Sequence, residues 1–307
     1  MTNNRIGIDL GGTKIEAIVL NSKGDTLLRR RVKTPKFDYN KILSTITALV
    51  QEVEQETGIT ENLPLGIGSP GAVSRKTGLM KNCNSTCLNG KPLQQDLQVQ
   101  LSRPVRIAND ADCFTLSEAT DGAGAAASKV FGVILGTGVG GGICVNKKLL
   151  QGANAITGEW GHNPLAYEKL QGSHSSKERR GRPCYCGRSD CIESWLAGPA
   201  LEHSYEISTG QQKNAAAIVE LAKNSNPGAQ KVMDSYHQML ALALSNVINI
   251  VDPEIIVLGG GMSNTNSLYS EVPRYLSRHV FSDRVDTIIT RAKHGDSSGV
   301  RGAAWLW

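Results

Sequence analysis

Cys184, Cys186 and Cys191 stand together in the run PCYCGRSDCIE, with His162 ahead of them in GEWGHNP. Three thiolates and one imidazole have the ligand types and number of a closed tetrahedral Zn2+ site, which leaves no open position for a reactive water. Each arm also carries a carboxylate, Glu159 before His162 and Glu193 after Cys191. Metal beside acids suggests zinc-dependent hydrolysis. A closed site suggests instead a structural metal that orients the two acids. Cys-x-Cys-x4-Cys is less diagnostic than paired C-x-x-C motifs, so free loop thiols remain the alternative. His174, His203, His237 and His294 have no ligand spacing and read as surface or core histidines.

A second chemistry-bearing pattern is glycine-rich. RIGIDLGGTKIEAIVL reads as two β-rich runs broken by Gly11 and Gly12, and KVFGVILGTGVGGGICVNKKLL repeats that plan around Gly136 to Gly142, with an Asn-Lys turn after it. Gly136, Gly138 and Gly141 formally satisfy G-x-G-x-x-G, but a dinucleotide loop must open a helix, whereas Ile143, Cys144 and Val145 continue as a strand. Gly11-Gly12-Thr13-Lys14 lacks the earlier glycine of a Walker A loop. What remains is a pair of glycine hairpins whose backbone N–H groups can cradle phosphate oxygens. The bland alternative is two tight turns. The late run Gly259, Gly260, Gly261 favours a nucleotide site. Asp9, just before the first turn, suits a Mg2+ ion held through water, because Mg2+ takes few carboxylates plus phosphates.

The elements that must position these groups alternate between strand and helix, which predicts an α/β fold in two related halves. Ile42, Leu43, Ile46, Leu49, Val50 and Val53 fall at helical spacing between Tyr39 and Glu56. Gly228 to Val251 does likewise, with Asn226-Pro227 to start it and Asp252-Pro253 to stop it. Strand Glu254 to Leu258 runs into the triple glycine, and Ser297 to Trp307 reads as a closing helix with Trp305 and Trp307 as packing residues. Strand VRIA leads to Asn109 and to Asp110, which opens the helix DADCFTLSEA. A helix N-terminus favours an ionised carboxylate there, so Asp110 is either a base facing a cleft or a first-turn cap. The break between domains is expected near Ala108, giving 1–108 plus about 294–307 as one domain and 109–293 as the other.

The bulk properties exclude several classes. A chain of 307 residues with 40% hydrophobic content has a real core and is not disordered. No stretch approaches the ~18 consecutive apolar residues of a membrane helix, and no apolar leader opens the chain. A cytoplasmic protein without a membrane partner is expected. Seven cysteines then read as reduced thiols, with Cys83, Cys87, Cys113 and Cys144 as small fillers. A net charge of +5 attracts anionic ligands but is no nucleic-acid footprint, and the basic runs Arg29 to Arg31 and Lys177 to Arg182 read as solvated faces.

The two hairpins and the late triple glycine resemble the actin-like ATPase fold, in which two ribonuclease H-like domains flank an interdomain cleft that takes ATP. More narrowly, DLGGTK, GEWGH and CxCG followed by CxE resemble the ROK family of bacterial sugar kinases and repressors, end to end. KNCNSTCLNG, TGEWGHNPL, PCYCG, VLGGGMSN and AKHGDSSGVRGAAWLW look most like its fructokinase, or manno(fructo)kinase, branch. Asp190 stands where the family usually has glycine, and Cys87 where it usually has tryptophan.

The resemblance implies ATP-dependent phosphorylation of a hexose, with fructose first and N-acetylglucosamine or glucose as the alternatives. It implies Asp110 as general base, and Asn84, Asn109, Asp110, Glu159, His162 and Glu193 as sugar contacts. For ATP and Mg2+ it implies Asp9, Gly11, Gly12, Thr13, Lys14, Gly136, Thr137, Gly138, Gly140, Gly259, Gly260 and Gly261. It implies structural Zn2+ on His162, Cys184, Cys186 and Cys191, and a homodimer. A DNA-binding repressor is not expected, because only five residues precede Ile6. A silent sugar sensor is disfavoured by the presence of Asp9 and Asp110.

Overall fold

A computed structural model describes residues 4–166 and 181–307 of the chain. The chain divides into two compact units. The first takes in residues up to Ala126, Gly142–Gly158 and Lys293–Trp307; the second takes in Ala127–Gly141 and Glu159–Ala292.

The first unit opens with a meander of β1 (Arg5–Leu10), β2 (Lys14–Leu20) and β3 (Thr26–Lys33). Then come α1 (Tyr39–Thr57), β4 (Leu65–Ser69), a small hairpin of β5 (Ala72–Val73) and β6 (Met80–Lys81), α2 (Leu93–Leu101), β7 (Val105–Asn109) and α3 (Asp110–Thr120). The main sheet has the order β3-β2-β1-β4-β7. β1, β4 and β7 are parallel, so their carboxyl ends share one edge. Alternation explains the layering: Ile15, Ala17 and Val19 of β2 join Ile6, Ile8 and the apolar stripe of α1 in one core, while Ile18 and Leu20 face a second, smaller cluster. The buried positions of α1 are the six read from its periodicity. Asp38 caps it through the Lys41 N–H, and Gly58 ends it in the left-handed region at φ 67°.

The remaining elements repeat the plan. They are β8 (Lys129–Leu135), β9 (Val139–Val145), β10 (Lys148–Leu149), α4 (Glu193–Leu196), α5 (Gly198–Thr209), α6 (Ala215–Lys223), α7 (Pro227–Val251), β11 (Ile255–Gly259), α8 (Ser267–Leu276), β12 (Ile288–Arg291) and α9 (Ser298–Ala304). The second sheet has the order β10-β9-β8-β11-β12, the same connectivity as the first. Asn146 and Lys147 both have positive φ, as the tight turn between β9 and β10 requires. Asn226 caps α7 through the Ala229 N–H at 3.0 Å, with Pro227 in the first turn.

The expected break at Ala108 is not where the units divide. It falls inside β7, one residue before its end, and the first unit continues to Ala126. The cause is α9, which packs on both α3 and β1. At Gly302 of α9 a Cβ would lie 1.6 Å from the Cys113 carbonyl oxygen of α3, so the two helices meet backbone to backbone and only glycine fits. The closing helix is shorter than expected and leaves both tryptophans beyond its end. They do serve packing. Arg106 stacks 3.6 Å over the Trp307 ring, whose Nε1 donates to the Leu65 carbonyl at 2.9 Å. Among the described residues no helix is long and apolar enough to cross a membrane.

Candidate functional site

In the first unit, the carboxyl ends of the parallel strands collect the polar residues, the edge where open α/β sheets bind ligands. β1 ends beside Asp9, β4 at Ser69 and β7 at Asn109. The capping role goes to Asn109, whose Oδ1 accepts from the Ala111 N–H at 2.9 Å while its Nδ2 donates to the Gly71 carbonyl at 3.1 Å. Asp110 is therefore the first helical residue, exposed at its surface but closely surrounded by protein. That crowding raises its carboxyl above the usual range, outweighing the Ala111 N–H and Asn109, which lower it. The helix N-terminus does stabilise the charge, as its position suggested, but it does not dominate.

Asp9 is pushed up to about 6 by burial, then by the neighbouring Asp110 and Glu16 carboxylates, against the pull of Lys14 and Arg31. A carboxyl held above its ordinary range next to other acids is one a cation would stabilise, so the donor set fits Mg2+. The first glycine turn is closed by the Gly11 N–H on the Lys14 carbonyl at 3.0 Å and pinned by Thr34 Oγ1 on the Gly11 carbonyl at 2.7 Å. Gly12 and Thr13 stay exposed. Asn84 is exposed in a loop that Asn89 staples. The Asn89 side chain accepts from the Cys83 N–H at 2.9 Å and donates to the Cys83 carbonyl at 3.0 Å. The run Arg29 to Arg31 is not a plain solvated face. Arg29 and Arg31 both pair with Glu16, which is 1% exposed, and Arg30 turns the other way to Glu56.

In the second unit, β8 and β11 are parallel neighbours, so their two glycine loops emerge side by side. Gly260 has φ 79°, and a Cβ there would lie 2.4 Å from the Leu135 carbonyl. Both facts demand glycine. Thr137, Gly260 and Gly261 are exposed. The turn is tighter than the sequence suggested. It spans Gly136 to Gly138, and Gly140 already belongs to β9, where its carbonyl accepts from Trp160 Nε1 at 3.0 Å.

The four metal-type residues do come together: one ligand atom from each of His162, Cys184, Cys186 and Cys191 lies within 4.8 Å of the others. Cys186 Sγ and Cys191 Sγ are 3.6 Å apart, as are Cys184 Sγ and His162 Nδ1. A tetrahedron with Zn–S bonds of about 2.3 Å has edges of about 3.8 Å, so the cluster fits zinc with little movement. Hydrogen bonding with Arg188 pulls the Cys186 thiol down to about 6, toward the thiolate a metal needs. His162 offers Nδ1 to the cluster and sets Nε2 3.0 Å from the Tyr185 hydroxyl, so its outer nitrogen already has a protein partner.

The acids beside the cluster differ. Glu159 is exposed, at the start of the turn Trp160–His162. Glu193 is half-buried; its Oε2 accepts from the Val139 N–H at 2.9 Å and its Oε1 lies 3.9 Å from Cys184 Sγ. Asp190 has φ 56°, a backbone that favours glycine. Its carboxylate accepts from the Gly181 N–H at 2.9 Å and the Arg182 N–H at 3.1 Å, which holds the substituted turn together. Arg182 is buried, 3.8 Å over the Trp195 ring, rather than part of a solvated run. His174 and Lys177 to Arg180 lie outside the described residues. His237 bonds Ser267 and His294 bonds Asp121, consistent with structural histidines.

Sequence reasoning passed over Glu16, Asn89, Glu118 and Tyr185. A signal existed for the first: a charged residue inside the apolar strand KIEAIVL implies a paired, buried charge. Glu118 is fully buried and accepts from the Ala123, Lys293 and His294 N–H groups and from Ser298 Oγ. Its partners are too distant in sequence to be foreseen.

A family model described as ROK family matches residues 5–307. The N-acetyl-D-glucosamine kinase of Haemophilus influenzae (strain 86-028NP) is 40% identical over 303 residues, 98% of each chain. The N-acetyl-D-glucosamine kinase of Vibrio cholerae is 38% identical over 300 residues, again 98% of each. Among solved structures, the ROK hexokinase of Thermus thermophilus superposes with a TM-score of 0.85 at 26% identity, covering 98% of this chain and 97% of that one. A ROK family glucokinase from Streptomyces griseus, solved with glucose and AMPPNP, superposes at 0.74 and 25% identity over 99% of each chain. The expected closeness to fructokinases is not shown by these relatives; the Haemophilus and Vibrio kinases carry the name of one of the alternative sugars, N-acetylglucosamine. A match over nearly the whole length, together with the duplicated sheet and its glycine turns, identifies the family: the chain belongs to the ROK family, as one of its sugar kinases.

Proposed function

We propose that this chain transfers the terminal phosphoryl group of ATP to a hydroxyl of N-acetyl-D-glucosamine. The observation that carries the choice of sugar is the 40% identity over 98% of both chains to a kinase of that name. The chemistry needs little covalent participation from the protein. It needs alignment, neutralisation of phosphate charge and a base at the attacking oxygen.

We assign the base to Asp110, the Mg2+ contact to Asp9, and the phosphate contacts to the turns at Gly11 to Lys14, Gly136 to Gly138 and Gly259 to Gly261. Mg2+ held beside Asp9 would supply charge neutralisation at the phosphates when bound. Sugar hydroxyls need paired donors and acceptors, and Asn84, Asn109, Asp110, Glu159 and Glu193 supply them. We assign zinc on His162, Cys184, Cys186 and Cys191 a structural part. Its closed ligand set excludes a metal-activated water, and the ring nitrogen His162 turns away from the cluster contacts Tyr185.

Fructose is the second reading, carried by the strings KNCNSTCLNG and AKHGDSSGVRGAAWLW and their resemblance to the fructokinase branch. A coupled assay of ADP release across N-acetylglucosamine, fructose, mannose and glucose decides between them. The highest kcat/KM is expected with N-acetylglucosamine. A clear preference for fructose would replace the first reading with the second.

A further inference from the structure

Glu16 sits in the middle of β2, across from Asp9 of β1 on one side and Arg31 of β3 on the other. Its neighbours in sequence, Ile15 and Ala17, face the core of the first unit, so Glu16 and Lys14 share the opposite face. There the carboxylate is 1% exposed and takes three cations: Arg29 and Arg31 in close ion pairs and Lys14 Nζ at 3.9 Å. The cations differ from it in exposure, with 41% of the Lys14 side chain and 44% of Arg31 open to solvent. One buried negative charge thus gathers positive groups that remain reachable, beside the turn Gly11-Gly12-Thr13 and next to Asp9. The arrangement carries net positive charge even after Glu16 is counted.

We propose that Glu16 is a positioning residue for phosphoryl transfer: it holds Lys14 and Arg31 at the first glycine turn as a two-cation clamp for the phosphates of MgATP. The inference rests on the assignment of that turn and Asp9 to the phosphate end of the nucleotide. A lone lysine on a strand end samples many rotamers. Tethered to a fixed carboxylate, Lys14 meets a phosphate with its ordering cost already met, and Arg31 adds a planar donor set suited to phosphate oxygens. Burial on the sheet and the pairs with Arg29 and Arg31 fix Glu16 itself.

The test compares wild type, Glu16→Gln, Glu16→Asp and Arg31→Gln. Binding of MgADP and MgATP is measured by titration calorimetry, and steady-state constants for ATP and sugar are measured separately. Glu16→Gln is expected to weaken nucleotide binding and raise KM for ATP about tenfold while leaving KM for the sugar within about twofold. Glu16→Asp is expected to recover part of the loss, and Arg31→Gln to share it. Arg31 is solvent-reachable, so that variant tests the clamp even where loss of the buried carboxylate compromises folding. Unchanged nucleotide affinity in both Glu16→Gln and Arg31→Gln would overturn the proposal, as would equal losses in the constants for ATP and sugar. Wild type that binds MgATP yet phosphorylates no hexose would count against the sugar assignment alone. Wild type that binds no nucleotide would sink both.

Discussion

Glu193 Oε2 accepts a hydrogen bond from the Val139 backbone N–H at 2.9 Å, and so ties the cysteine loop to the first residue of β9 after the Gly136–Gly138 turn. Its other oxygen lies 3.9 Å from Cys184 Sγ, so one carboxylate touches both the metal-type cluster and the strand that leaves the glycine turn. Gly198 adds a second tie, donating to the Gly136 carbonyl at 2.8 Å. An acid assigned to sugar binding also braces a phosphate-type loop. Glu193→Ala is therefore expected to lower kcat/KM for the sugar and to raise KM for ATP as well, each by roughly tenfold or more, since a charge-assisted bond from the N–H of buried Val139 is lost. Measuring both constants checks this. A variant impaired for sugar alone would show that the brace on β9 is dispensable.

The Cys3His cluster predicts about one zinc per chain by metal analysis, and cysteine variants that lose it. Cys186→Ser is expected to purify with substoichiometric metal and a higher KM for sugar, with kcat less affected, because a metal in this closed ligand set would hold the loop that carries Glu193 and would take no part in bond making. Chelation of wild type should reproduce that pattern, and added Zn2+ should reverse it. Full activity in a metal-free preparation would remove zinc from the account.

The fold was largely legible because its signals are local or repeated. The stripe of α1, the Asn226 cap of α7 and the two strand–glycine–strand runs all lie within short windows, and each forms where its pattern places it. The grouping of the four metal-type residues was legible as well, since three of the four share one loop. What escaped was set by distant contacts. Nothing near Ala108 shows that Gly302 will bring the chain end against Cys113 and carry α3 into the first unit. Nor does a count of basic residues show that Arg29 and Arg31 share one buried carboxylate. Which hexose is preferred depends on side chains at several loops at once, and the branch resemblance and the named relatives point to different sugars.

Asp110→Asn tests the base directly. The amide keeps the size and can still accept from the Ala111 N–H, so the fold should hold, while kcat is expected to fall by ~10²–10⁴ with a smaller change in KM for sugar. In wild type, crowding raises the carboxyl above 3.8, and only the ionised form accepts a proton. The rate should therefore climb as pH rises through a midpoint above the ordinary carboxylate value, and the residual rate of Asp110→Asn should lack that limb. Near-normal turnover in the variant would exclude Asp110 as the base.

Asp9 gives a stability prediction whose sign is set by its shift. Its carboxyl titrates near 3.8 when unfolded and about 6 when folded. The native state therefore binds the proton more tightly, and the protein loses stability as pH rises from 3.8 to about 6 and stays lower above that. Asp9→Asn removes the penalty. Without nucleotide or Mg2+ the variant should be more stable than wild type at about pH 8, by about 1–3 kcal/mol, with the difference vanishing near about pH 4. Urea titrations at the two pH values measure it. Mg2+ with nucleotide should invert the order, because a bound cation favours the ionised carboxylate that only wild type has. A variant that is less stable at high pH without ligand would mean that the pull of Lys14 and Arg31 outweighs burial and the neighbouring acids.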